Sequence, residues 1–103
     1  MKRRYVVAVD RMTKKETDEF VAFLREKGLG WWHWINDFWL LVDRQDRVNA
    51  EQLREKLNEI APERTKLVME VREDLGWSGF GPNATGEDKN NMFRWLRDTW
   101  AEK

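Results

Sequence analysis

The chain has 103 residues, a length that suits a single domain. Its 19 lysines and arginines balance 19 aspartates and glutamates, which weighs against a histone-like or tail-like nucleic-acid binder with a basic excess. Cysteine is absent and His33 is the only histidine, which excludes disulfides, cysteine zinc sites, thiol nucleophiles and multi-histidine metal sites.

Residues 4–9, Arg-Tyr-Val-Val-Ala-Val, are β-branched and aromatic and predict a strand ended by Asp10. Thr13-Lys14-Lys15-Glu16 fits a capping box, and Phe20, Val21 and Leu24, with Phe23 at the margin, form an apolar stripe at helical spacing. Gly28 and Gly30 are expected to stop that helix. Two strands, 31–35 and 38–43, flank Asn36-Asp37, a two-residue hairpin turn. Asn49 caps a second helix with Gln52 at the third position. Ala50, Leu53, Leu57 and Ile60 give its buried face, and Pro62 prevents its continuation. Residues 65–71 alternate, with Leu67, Met69 and Val71 on one face and Lys66, Val68 and Glu70 on the other, as in a half-buried strand. A loop over 72–87 holds Gly76, Gly79, Gly81 and Gly86. A third helix over roughly 88–101 carries Met92, Phe93, Trp95, Leu96 and Trp100. No run approaches the roughly 18 apolar residues of a membrane span. The Met1-Lys2-Arg3-Arg4 start lacks the apolar run of a signal peptide. A cytoplasmic protein with no membrane partner is therefore expected.

The order β-α-β-β-α-β implies an α+β fold, the ferredoxin-like plait, with an antiparallel sheet of order 4-1-3-2. Residues 1–72 form this core, and 73–103 form a Gly/Trp-containing loop and C-terminal helix packed on the core or on a partner subunit. Both core helices cover one sheet face and leave the other bare.

The hairpin is unusual because a regular two-residue turn makes both of its faces apolar. Trp31, His33, Ile35, Phe38, Leu40 and Val42 would share one face, and Trp32, Trp34, Trp39 and Leu41 the other. The bare face then needs a cover: the third helix, a second copy of the chain, or nucleic-acid bases stacked on the aromatics.

The segment Gly28-Leu-Gly-Trp31-Trp32-His33-Trp34-Ile-Asn-Asp-Phe-Trp39-Leu-Leu-Val42 resembles the hairpin of small proteins called SinR-like. Asn49-Ala-Glu-Gln-Leu53-Arg, Leu67-Val-Met-Glu-Val71 and the Trp77-x-Gly79 tail with a tryptophan-containing end fit the same pattern, so the resemblance spans residue 5 to about 100. That group is similar in turn to the ferredoxin-like CRISPR adaptation subunit and to VapD-type proteins. The resemblance implies homodimerisation. It also implies that an aspartate ending the first strand, here Asp10, holds the metal in those relatives that are nucleases.

Asp10 is thus the one catalytic and metal candidate, beside Asn36 and Asp37 of the hairpin turn. No cofactor is required, and Mg²⁺ enters only if Asp10 is a ligand. A strand-ending aspartate is also a common turn and cap residue. His33, between tryptophans, suits a core position with one hydrogen bond, or else a general base or phosphate contact. The start of strand 1, with Lys2, Arg3 and Arg4, should meet Arg44 and Arg47 at the end of strand 3. The glycine-rich loop with Trp77 should start at the same pole, where Asp43, Asp46, Glu73 and Asp74 cancel much of the charge. Glycine N–H groups there could cradle phosphate, although the spacing is neither a dinucleotide fingerprint nor a P-loop. The binding candidates are Trp32, Trp34, Trp39, His33, Arg4, Arg44, Arg47 and Trp77. They suggest a small homodimeric protein that binds nucleotide or nucleic acid through an aromatic and basic surface, not an enzyme. The alternatives are a protein-interaction module of phage or mobile-element origin acting on a host complex, and a metal-dependent ribonuclease using Asp10.

Overall fold

Local signals place the four strands and the first two helices close to their expected bounds. The computed structural model describes residues 2–72 and 94–100. Its elements are β1 (Arg3–Val9), α1 (Lys14–Glu26), β2 (Gly30–Ile35), β3 (Phe38–Asp43), α2 (Ala50–Ile60) and β4 (Lys66–Val71), followed by a π-helical turn, Leu96–Trp100. Thr13 Oγ1 accepts from the Glu16 N–H at 3.1 Å, and Glu16 Oε1 accepts from the Thr13 N–H at 2.8 Å, which closes the first capping box. Asn49 and Gln52 make the equivalent pair at the start of α2, at 2.8 and 2.9 Å. Helix α1 ends through Gly28, whose φ of 72° suits glycine. The Gly28 N–H donates to Arg25 and the Leu29 N–H to Leu24, a Schellman closure. Gly30 takes no part in that stop and is the first residue of β2.

The four strands form one antiparallel sheet in the order β2-β3-β1-β4, with helices between strands, consistent with a ferredoxin-like plait. Alternation divides the core in two. Tyr5, Val7 and Val9 of β1 and Trp39 and Leu41 of β3 lie under Phe20 and Leu24 of α1 and Leu53 and Leu57 of α2. The Tyr5 hydroxyl donates to the Val48 carbonyl at 2.9 Å, so this buried phenol has its polar end satisfied. On the opposite face Trp32, Leu40 and Val42 pack with Leu96 and Trp100.

The hairpin departs from the regular ladder. Ile35 pairs with Phe38, but Trp32 pairs with Leu40, Trp31 with Leu41 and Gly30 with Val42. His33 and Trp34 therefore stand together opposite Trp39, a two-against-one β-bulge. The extra residue reverses the faces expected for Trp31 and Trp32. Trp31 turns to the helix side, where the Arg25 guanidinium lies 5.6 Å from its ring. Trp32 joins Leu40 and Val42 on the other face, beneath Trp100. The expected sets, Trp31 with Leu40 and Val42 and Trp32 with Trp39 and Leu41, are corrected accordingly.

Candidate functional site

The bulge builds a cleft. His33 and Trp34 share one ladder position but have different surroundings. The His33 ring stacks on Trp39, centroids 3.7 Å apart and planes within 5°, and its Nδ1 lies 2.9 Å from the Phe38 carbonyl. A carbonyl only accepts, so Nδ1 carries the proton in this contact. Trp34 projects outward and is 45% exposed. The C-terminal turn supplies the opposite wall. Trp95 lies over Gly30, where an added Cβ would sit in ordinary van der Waals contact, 3.6 Å from its indole. The result is a cavity of about 610 Å³ lined by Trp31, Trp32, His33, Trp34, Trp95 and Thr99, with Arg94 and Asp98 at its margin. Arg94 Nε and Asp98 Oδ2 are 3.4 Å apart on an exposed surface, a weak pair.

The C-terminal wall is fastened at its base. Arg4 is buried, and its Nε–H donates to the Trp100 carbonyl at 2.6 Å. Lys2 Nζ donates to the Thr99 carbonyl. Two cations thus meet the carbonyl end of the turn, where helix polarity favours positive charge.

The remaining candidates separate. Trp39 is wholly buried, with the Phe20 ring edge-on at 5.0 Å, and its Nε1 has no hydrogen-bond partner among the described residues. Arg44 and Arg47 are exposed at the end of β3, near the start of β1 as expected, where Arg3 pairs with Asp46 at 2.9 Å. Asp43 does more than offset charge. Buried there, its carboxylate accepts N–H bonds from Gln45, Arg47 and Val48 at 3.2, 2.7 and 3.0 Å, which shapes the β3–α2 connection. Trp77, the glycine-rich segment and residues 88–93 of the expected third helix lie outside the described residues.

Asp10 does meet Asp37, with Thr65 and Lys66, around a small cavity at the far pole of the sheet. It is half-exposed and 3.5 Å from Arg11 Nε. Asp37 is occupied locally: its Oδ1 accepts from the Arg11 N–H at 2.9 Å and its carbonyl from the Val9 N–H at 3.0 Å. Among the described residues no three carboxylate, histidine or cysteine side chains gather as a metal cluster.

The sequence pointed to Trp32, His33 and Trp34 but not to Trp95, Arg94, Asp98 and Thr99 as their facing wall. Trp95 carried the only signal, an aromatic within a wide apolar stripe. No family model matches this chain, and neither a curated protein nor a solved structure matches it.

Proposed function

We propose that this protein binds nucleotide or single-stranded nucleic acid in the cleft between β2 and the C-terminal turn, and acts as a small cytoplasmic homodimer. The observation that carries this reading is the exposed Trp34 indole beside a cavity walled by tryptophans, with Arg94 at the rim. A base has a π-face that stacks on Trp34 or Trp95, at roughly 1–3 kcal/mol per base. A phosphate suits the Arg94 guanidinium, which it would take from Asp98. With 19 charges of each sign on the chain, stacking rather than a basic groove supplies the affinity, so salt should weaken binding only modestly. The resemblance of the hairpin to SinR-like proteins supports the two-copy state.

A second reading is a protein-interaction module of phage or mobile-element origin. It is favoured by Trp34 and Ile35, adjacent exposed apolar residues at the hairpin tip, since tryptophan is enriched at binding hot spots. A metal-dependent ribonuclease has the least support, because Asp10 gathers only Asp37 as a second carboxylate among the described residues.

Titration of intrinsic tryptophan fluorescence with mononucleotides and short single-stranded RNA and DNA tests the proposal. Quenching by these ligands that is lost in Trp34→Ala supports it. Unchanged emission across the series refutes it, and saturable quenching that survives Trp34→Ala moves the site elsewhere.

A further inference from the structure

We propose that two copies of this chain join edge to edge along β4, in a register with Val68 opposite the partner's Val68. This deepens the two-copy state proposed above by assigning its surface.

Among the described strands, β2 and β4 bound the sheet. The β2 edge is interrupted by the bulge at His33 and Trp34, a device that discourages strand addition. The β4 edge has no such interruption and pairs with β1 in unbroken register over Lys66–Val71. The Asp10 N–H donates to the Thr65 carbonyl at 2.9 Å, which makes these two a hydrogen-bonded pair. Antiparallel alternation then directs the N–H and C=O groups of Leu67, Met69 and Val71 to β1, and those of Lys66, Val68 and Glu70 outward.

The outward residues are self-complementary. With Val68 on a two-fold axis, Lys66 stands opposite the partner's Glu70, and Glu70 opposite the partner's Lys66. Each outward backbone group meets another outward group. It is the only antiparallel register in which Lys66 meets Glu70. On the open face Leu67 stands opposite the partner's Met69. These side chains are 59% and 51% exposed in one copy, and the pairing covers both. A lysine on a sheet edge ordinarily repels a second copy, but here a glutamate four residues on cancels it. The Lys66 ammonium donates to Asn58 Oδ1 at 2.8 Å and to the Ala61 carbonyl at 2.9 Å. These bonds take two of its three donors and hold the charge in place for a third.

The test is the mass of the full chain across a concentration series, by light scattering and sedimentation. The wild type should reach twice the chain mass. Glu70→Lys and Lys66→Glu should each weaken association tenfold or more, because like charges then face each other on both sides of the axis. The two variants mixed should form a heterodimer, and the double variant Lys66→Glu/Glu70→Lys should dimerise again. If Lys66→Glu fails to fold for want of its bonds to Asn58 and Ala61, Glu70→Lys and Met69→Lys still test the edge from exposed or half-buried positions. A wild type that stays monomeric, or a dimer indifferent to Glu70→Lys and Met69→Lys, overturns the proposal. The nucleotide titration on the same samples separates the two ideas: a β4 dimer that binds no nucleotide refutes the cleft alone, and a nucleotide-binding dimer indifferent to these changes refutes the β4 edge alone.

Discussion

Truncation of Trp100 to alanine probes the part of the fold on which the cleft depends. Trp100 is 6% exposed and packs with Trp32, Leu40, Val42 and Leu96 on the sheet face away from α1 and α2. Burying a tryptophan removes about 150–250 Å² from water. At about 25 cal/mol per Å² that is roughly 4–6 kcal/mol. Residual burial in the denatured chain lowers the figure to about 3–5 kcal/mol, in line with the cost of large-to-small core substitutions. The Arg4 bond is made to the Trp100 backbone carbonyl and remains available in the variant, so the loss reports the side chain. A domain of this size has about 5–15 kcal/mol of stability in total. The melting temperature should therefore fall by about 15 °C or more. Urea unfolding followed by circular dichroism measures the change as a lower midpoint at similar slope. The exposed Trp32 face should also bind a hydrophobic dye. A loss below about 1 kcal/mol, typical of a surface position, would mean that the C-terminal turn does not hold this face, and the wall formed by Trp95 would go with it.

Other substitutions have separable outcomes. Asp43→Ala removes a buried carboxylate that accepts three N–H bonds from the β3–α2 connection and should cost about 2–3 kcal/mol in chemical denaturation, whereas a change under about 1 kcal/mol would show that these donors find other partners. Hydrogen bonding to Thr13 at the N-terminus of α1 holds the Glu16 carboxyl below the ordinary glutamate value. Its folded pKa is depressed, so its contribution is present above the unfolded value of about 4.3 and is lost as pH falls through the folded value. Glu16→Gln should accordingly be less stable than the wild type at neutral pH and converge with it in acid; a gap that persists or widens in acid contradicts this. Asp10→Ala should leave nucleotide affinity unchanged and cost at most about 1 kcal/mol, the scale of a lost turn or cap bond. Loss of an RNA-cleaving activity in that variant, still folded, would revive the nuclease reading.

Where local chemistry dictates structure, the sequence was sufficient. Thr13/Glu16 and Asn49/Gln52 mark helix starts because each satisfies exposed N–H groups in a way that few other residue pairs can. The β-branched and aromatic run Arg4–Val9 marks one strand, and the alternation in Lys66–Val71 marks another because a half-buried sheet imposes a period of two. The bulge at His33 and Trp34 left no such trace. Every residue from Trp31 to Ile35 is apolar or aromatic, so inserting one residue into the ladder disturbs no hydrophobic pattern, and what accompanies it is tertiary: Trp32 beneath Trp100 and His33 stacked on Trp39. That one residue decides which tryptophan is buried on which face, and with it the shape of the cleft. The cleft's second wall was hidden for another reason. Trp95 meets Gly30 across more than half of the chain, and the turn that carries it is fastened by the Arg4 and Lys2 bonds to the Trp100 and Thr99 carbonyls, which local spacing does not encode.

Indole Nε1–H resonances report directly on the proposed site. The chain has seven tryptophans, assignable one at a time by Trp→Phe substitution. On titration with a short single-stranded oligonucleotide, binding in the cleft predicts saturable shifts of the Trp34 and Trp95 signals, with the buried Trp39 signal nearly still. If all seven indole signals remain in place, or if those that move exclude Trp34 and Trp95, the cleft is not a nucleotide site.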